Sequence, residues 1–179
     1  MSLKSSAADL HVRIRIENTG SINERAAIRA VNESAFRALY EADLVDQLRG
    51  SDYALLSLVA ELDGGIVGHI MFSRMWIDTS LGLLRAVALA PLAVLPGHQH
   101  KGIGSLLVRR GLELLRGRGE EIVIVVGHPG YYPRFGFSSA QAKSLQSLFP
   151  REAFMALELR VGVLDGIEGS VVYPPAFGM

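Results

Sequence analysis

The stretch LPGHQHKGIGSLLVRR, Leu95 to Arg110, sets two histidines, a lysine and three glycines directly before a strongly helical run. A loop that opens a helix presents several backbone N–H groups without partners, and the helix dipole favours negative charge there. Glycines let a ligand approach the backbone closely, so phosphate is the natural occupant. His98, His100 and Lys101 add positive charge nearby, as surface loops also do by chance.

The spacing narrows the choice among phosphate binders. A Walker loop needs G-x-x-x-x-G-K-[ST]; Gly97 and Gly102 meet the first half, but Ile103 and Gly104 stand where the lysine and hydroxyl belong. A Rossmann fingerprint needs a third glycine or alanine where this chain has Leu107, and it follows the first strand of a parallel fold rather than a series of hairpins. What remains is Q-x-x-G-x-G at Gln99, Gly102 and Gly104, between the strand PLAVLP and an amphipathic helix. In that placement the sequence resembles the GNAT superfamily of N-acetyltransferases, in which this loop wraps the pyrophosphate of acetyl-CoA. The resemblance implies coenzyme contacts at Gln99, His100, Lys101, Gly102, Ile103, Gly104 and Ser105.

Pro91 bears on the same expectation. A proline inside a strand removes a ladder donor, so the strand carrying Leu92, Ala93 and Val94 is expected to stop pairing with its parallel neighbour and open a wedge. A plain edge strand with no ligand would also tolerate it. The resemblance implies that the wedge receives the pantetheine arm, whose amides pair with the backbone of Leu92 and Val94, and that the Val94 N–H polarises the thioester carbonyl.

Moving an acetyl group from a thioester to an amine needs a neutral amine, donors at the developing oxyanion and a proton for the departing thiolate. YYPRFGF, Tyr131 to Phe137, matches the Y-x-x-x-G-F pattern of the family, which implies Tyr132 as the proton donor. From ordinary values for a phenol and a thiol, that transfer is uphill by only about 2 kcal/mol. The bland reading is that these rings are core and turn aromatics. Many relatives carry an asparagine seven residues before the tyrosine, where this chain has Val125, so a side-chain contact to the coenzyme is in doubt; His128 is a substitute or simply a capping, solvated histidine. The strand from Leu84 to Val94 holds no carboxylate, and no residue declares itself as the base. His69 has a suitable ordinary pKa but reads first as a satisfied core histidine, and a water chain would also serve. The H-x-H of His98 and His100 lacks a third ligand, so no metal is expected.

The elements that must position these groups are legible around them. HVRIRIE, His11 to Glu17, alternates like a half-buried strand. Ser21 and Glu24 form a capping box opening a helix that holds Ile28, Val31, Ala35 and Leu39 on one face and runs to about Tyr40; EADLVDQLR is a second helix packing Leu44, Val45 and Leu48. Asp63-Gly64 between ALLSLVAEL and IVGHIMFSRMWID is a hairpin signal, and LLRAVALAPLAVL follows after a TSLG turn. The helix after Gly104 places Ile103, Leu106, Leu107, Gly111, Leu114 and Leu115 on one face. EEIVIVVG is a buried strand, parallel to the one before the helix, and FMALELRVGVL and SVVYPPAF add antiparallel strands. The expected fold is α+β and GNAT-like: one domain over 1–179, with a mixed, mostly antiparallel sheet splayed at a parallel pair and helices on both faces. Residues 1–9 read as a flexible leader.

Composition sets the outer bounds. The chain has 179 residues, 49% apolar and 20% charged, with zero formal net charge, which argues against nucleic-acid partners. Without cysteine there is no disulfide, thiolate metal site or cysteine nucleophile. The longest apolar run is too short for a bilayer, and no secretory h-region precedes it, so no membrane is expected and the reading is cytoplasmic. Similarity along EADLVDQLR, AELDGGIVGHIMFS, EAFMALEL and YPPAF looks like a bacterial subgroup of predicted acetyltransferases. It implies acetyl-CoA as co-substrate and an amine acceptor moved to directly, with Tyr173 and Phe177 lining the acceptor pocket, forming plain core or making a homodimer contact. Two rivals keep parts of this pattern: an acyl-CoA sensor that binds without turnover, and a structural domain in which the loop is coincidental.

Overall fold

The computed structural model describes residues 11–179; the leader expected at 1–9 lies outside the described residues. Strand β1 (Arg13–Ile16) is followed by helices α1 (Ile22–Phe36) and α2 (Tyr40–Gly50), then strands β2 (Ala54–Leu62), β3 (Gly65–Thr79) and β4 (Gly82–Val94). Helix α3 (Ile103–Gly117) leads to β5 (Ile122–Val126), and short strands β6 (Leu145–Gln146), β7 (Phe154–Glu158) and β8 (Gly169–Val172) complete the chain. The strands hydrogen-bond in the order β1-β2-β3-β4-β5-β7, with β8 joined to β3 and β6 to β8. The expected mixed, mostly antiparallel sheet is therefore present, and β4 and β5 are parallel as the crossover through α3 requires.

The described residues pack as two compact units through which β3, β4 and α3 all run: one formed by residues 11–71 with Pro91–Gly111, the other by Phe72–Ala90 with Leu112–Met179. In the first unit β1 pairs antiparallel with β2, from Arg13 opposite Glu61 to Ile16 opposite Leu58. Asp63 and Gly64 both take positive φ, 50° and 78°, as the tight turn between β2 and β3 demands. Successive strand residues face opposite sides of a sheet, and Gly68 and His69 show which helix covers which side. A Cβ on Gly68 would lie 3.1 Å from Leu107 and 3.3 Å from Ile103, so α3 lies on that face. The next residue, His69, meets Asn32 of α1, so in this unit helices cover both faces.

The helices depart from expectation in ways their caps explain. Ser21 Oγ accepts the Glu24 N–H at 3.2 Å, but Glu24 does not return the bond to its cap. Its carboxylate accepts the Asn18 N–H at 2.8 Å and pairs with Arg15, also at 2.8 Å. Helix α1 stops at Phe36, short of Tyr40, because Arg37 turns left-handed at φ 55° and sends its N–H to the Glu33 carbonyl. Leu39 consequently sits exposed instead of on the apolar face. On α3 the buried stripe runs through Ile103, Leu107, Val108, Leu112 and Leu115, while Leu106 reaches the surface. Fifteen residues at a period of 3.6 bring Val108 and Leu112 under the helix and leave Leu106 at its margin.

In the second unit β5 is buried along nearly its whole length and pairs antiparallel with β7, from Ile122 opposite Glu158 to Val126 opposite Phe154. Arg74 ties the strands at its core end, donating to Glu120 at 2.8 Å and to the Ala86 carbonyl at 3.2 Å. The expected strand FMALELRVGVL ends at Glu158, whose carboxylate accepts the N–H groups of Gly162 and Leu164 at 3.1 and 2.7 Å and folds the following residues into turns. SVVYPPAF likewise splits: Val172 closes β8, and Pro174 and Pro175, which cannot donate, start a 3-10 turn. β8 runs antiparallel to β3 and parallel to β6.

Candidate functional site

The Q-x-x-G-x-G loop lies in the first unit and has a defined shape. Leu95 N–H donates to the Val67 carbonyl at 2.9 Å, holding the end of β4 against β3. A 3-10 turn at Pro96–His98 follows. His100 and Gly102 then take left-handed φ of 60° and 89° before α3 begins at Ile103. Gly102 needs no special explanation there; His100, carrying a side chain in that region, is held by its surroundings. The first bond in the helical pattern runs from Leu106 N–H to the Gly102 carbonyl at 3.1 Å. Ile103 and Gly104 therefore precede it, with N–H groups belonging to the orphan set at a helix start.

Gln99 occupies the loop in a way the motif alone did not announce. Its Nε2 donates to the Val94 carbonyl at 2.9 Å, fixing the orientation of the peptide that ends β4. Lys101 Nζ bends back to the Gly97 carbonyl at 3.0 Å, and the residue is half-buried. Leu92 and Val94 are half-buried along β4. The ladder between β4 and β5 pairs Val87 with Val123 and Ala88 with Ile124, and β4 then continues through Pro91 to Val94. Pro91 cannot extend a ladder as donor.

Tyr132 lies in the second unit at the start of a 3-10 turn, Tyr132–Phe135, closed by Gly136 at φ 97°. Its ring meets Tyr131 edge-on at 5.1 Å and Phe137 at 5.8 Å, geometries favoured by ring quadrupoles. Burial pushes its phenol well above the ordinary value of 10. Transfer of its proton to a thiolate is accordingly steeper than the ordinary values suggested; at neutral pH the group is an O–H donor. Gly127 is the residue that sequence reasoning missed. A Cβ there would collide with Tyr132 Cε2 and lie 2.9 Å from its Cδ2. The signal was present as the GHPG between β5 and the tyrosines. The same turn uses the His128 carbonyl, which accepts the Tyr131 N–H at 3.0 Å, while the His128 side chain is exposed. Val125, in the place of the family's asparagine, is buried opposite Met155.

His69 resembles the centre of a triad and is not one. Ser57 Oγ lies 3.0 Å from Nε2 and Asn32 Nδ2 lies 3.1 Å from Nδ1. Asn32 Nδ2 also donates to the Ile28 carbonyl at 2.9 Å, which fixes the amide orientation. Nδ1 must then accept, so Nε2 carries the proton and donates to Ser57, the wrong direction to activate a hydroxyl. Burial, with a contribution from the Arg49 charge, lowers its pKa to about 3. The ring is neutral core, as its first reading held. Arg49 itself pairs at 2.8 Å with Glu17, whose side chain is fully buried.

A mixed sheet in which the parallel β4–β5 pair brackets a helix that opens on a glycine loop is the architecture of acetyl-group transferases that use coenzyme A. The chain belongs to the acetyltransferase (GNAT) family, whose pattern it matches over residues 22–137. It is 43% identical over 117 residues to YjhQ of Escherichia coli K12, described as an uncharacterized N-acetyltransferase, a match spanning 64% of this chain and 65% of that one. YhbS from the same organism, described in the same words, is 35% identical over 153 residues, 84% of this chain and 90% of that one. The crystal structure of E. coli YhbS in complex with CoA superposes with a TM-score of 0.85 at 33% identity, covering 95% and 93% of the two chains. A GNAT acetyltransferase from Brucella melitensis in complex with acetyl-CoA gives 0.77 at 38%, covering 93% and 98%. Among the described residues no helix is long and apolar enough to cross a membrane.

Proposed function

We propose that this chain is an acetyl-CoA-dependent N-acetyltransferase that moves the acetyl group directly to an amine. The observation that carries the reading is the loop from Gln99 to Ser105: two left-handed residues lead into a fifteen-residue helix, and Gln99 fixes the Val94 peptide just before it. In this reading the N–H groups of Gly102, Ile103, Gly104 and Ser105 receive the pyrophosphate, with His100 and Lys101 adding charge at the rim. Leu92 and Val94 offer strand backbone to the pantetheine arm, and the Val94 N–H is the donor for the carbonyl oxygen. Bound acetyl-CoA supplies the activated acetyl group. The amine nitrogen forms the new bond to the carbonyl carbon, the carbon–sulfur bond breaks, and the amine proton passes to water, since His69 is no base. Tyr132 donates a hydrogen bond to the leaving sulfur and steadies its negative charge without giving up its own proton completely.

Calorimetric titration with acetyl-CoA, with ATP as comparator, tests the donor site. Saturable binding that ATP does not reproduce is expected; no binding would reduce the loop to a helix-opening turn. Tyr132→Phe then separates an enzyme from an acyl-CoA sensor. An enzyme loses transfer in a screen of amines while keeping the binding isotherm. If the wild-type protein binds the coenzyme and acetylates none of those amines, the transferase reading falls.

A further inference from the structure

Glu41 stands in the first turn of α2 and continues the stripe that the helix buries through Leu44, Val45 and Leu48, since residues three and four apart share a face. The residue is half-buried, and its Oε2 is shut off from solvent. Among the described residues no donor bonds to that oxygen and no cation pairs with the carboxylate. Glu17, which also has shielded carboxylate oxygens, differs in having Arg49 at 2.8 Å. A negative charge suits the first turn of a helix, but that field leaves the oxygen's lone pairs unfilled. A carboxylate oxygen withdrawn from water without a donor is unfavourable, so a donor from outside the chain fits here.

The turn beside Glu41 supplies the rest of the ligand's chemistry. Phe36 ends α1, Arg37 turns left-handed, and Phe36, Leu39 and Tyr40 are 39%, 60% and 53% exposed. Three large apolar side chains at the surface within so short a segment offer cover to hydrocarbon. The Glu41 charge is close enough to act, after burial, on the Tyr40 phenol, so the carboxylate and this apolar surface adjoin. A cation with N–H donors joined to an apolar body is an amine as it exists at neutral pH, because an alkylammonium titrates near about 10. Glu41 and the coenzyme loop belong to the same unit. We propose that the α1–α2 turn binds the acceptor, a primary amine carried on an aryl or alkyl group, with its ammonium paired to Glu41. That the amine is the acceptor rests on the transferase reading; that an ammonium binds at Glu41 does not.

The test uses phenethylamine as the probe, with 2-phenylethanol, which lacks the charge, and ethanolamine, which lacks the ring. Calorimetry and saturation-transfer NMR read binding in the presence of CoA, which has no acetyl group to transfer. Phenethylamine is expected to bind saturably and at least tenfold more tightly than either comparator. Glu41→Gln keeps the shape and removes the charge, so it should abolish the preference over 2-phenylethanol and leave the acetyl-CoA isotherm unchanged. Its urea midpoint should stay level or rise, because an unpaired carboxylate is withdrawn from the helix face. Equal affinities for the three compounds, no saturable binding of phenethylamine, or a Glu41→Gln protein that keeps the preference would each overturn the site, as would a lowered midpoint, which would make Glu41 structural. Turnover separates the two readings. With acetyl-CoA, Glu41→Gln should raise the KM for phenethylamine at least tenfold with kcat little changed; an unchanged KM overturns the site and leaves the transferase, whereas Glu41-dependent binding without any acetylation supports the site and overturns the amine's role as acceptor.

Discussion

Acidification should destabilise this protein through one side chain well before its carboxylates titrate. His69 is fully buried, and its two ring nitrogens are committed to Asn32 and Ser57. Its folded pKa of about 3 lies below the ordinary 6.5 of the unfolded chain, so as pH falls the unfolded state takes up the proton first. Its contribution is complete above 6.5 and drains away as the pH drops toward about 3. At about 1.4 kcal/mol per pH unit within that window, the step from pH 7 to pH 5 removes about 2 kcal/mol. Glu24, whose pairing with Arg15 lowers its pKa below the usual 4.5, loses its share only below about pH 4.5 and so adds nothing to the step from pH 7 to pH 5. Urea denaturation at both pH values measures the effect, with a midpoint shift of about 1 M expected for a typical slope. His69→Gln keeps an amide for hydrogen bonding but cannot titrate, so its midpoint should move far less over the same step. Equal shifts in the two proteins would show that the ring accepts a proton in the folded state at no cost, and the account of its burial would be wrong.

The remaining predictions concern the loop, the aromatic turn and the buried charges. Gly127→Ala should cost about 1–3 kcal/mol by forcing Tyr132 aside, with transfer lost and coenzyme binding kept; a crystal structure with Tyr132 unmoved would contradict it. Gln99→Ala frees the Val94 carbonyl and should weaken acetyl-CoA binding about tenfold, whereas a change confined to kcat would point away from a role in holding the strand end. Glu17→Ala removes the buried partner of Arg49 and leaves it only the more exposed Asp46 at 2.9 Å, and should cost about 3 kcal/mol by chemical denaturation. Ser21→Ala removes the one bond that the α1 cap receives from its side chain and should cost about 1 kcal/mol.

Patterns that depend on neighbours in sequence were legible, and those that depend on partners far along the chain were not. Asp63-Gly64 declared a hairpin because two positive φ values in succession admit few residues, and both angles are present. The apolar run IVIVV declared a strand in a sheet covered on both sides, and Ile122 to Val125 are all buried although successive side chains face opposite sides. By contrast, the capping box at Ser21 is only half made, because Arg15, nine residues upstream, competes for the Glu24 carboxylate. The strand expected from Phe154 to Leu164 fails because Glu158 captures the backbone ahead of it. No local pattern shows such captures.

The site divides in the same way, and the division explains what kind of mutation each part will tolerate. Gly102 was legible because backbone conformation alone dictates its type, and its left-handed φ follows. Gly127 was not, since the reason for a glycine there is the Tyr132 ring pressed against its Cα, a contact five residues away that exists only once the aromatic turn has folded. Gln99 falls between: the motif names it, but only the structure shows its amide spent on the Val94 carbonyl. Glutamate at position 99 could accept but not donate, and would turn a charged oxygen toward that carbonyl. Gln99→Glu should therefore bind acetyl-CoA more weakly than Gln99→Ala, although glutamate is the closer match in size. The opposite order in calorimetry would mean that the side chain's bulk, rather than its donor, holds the strand end in place.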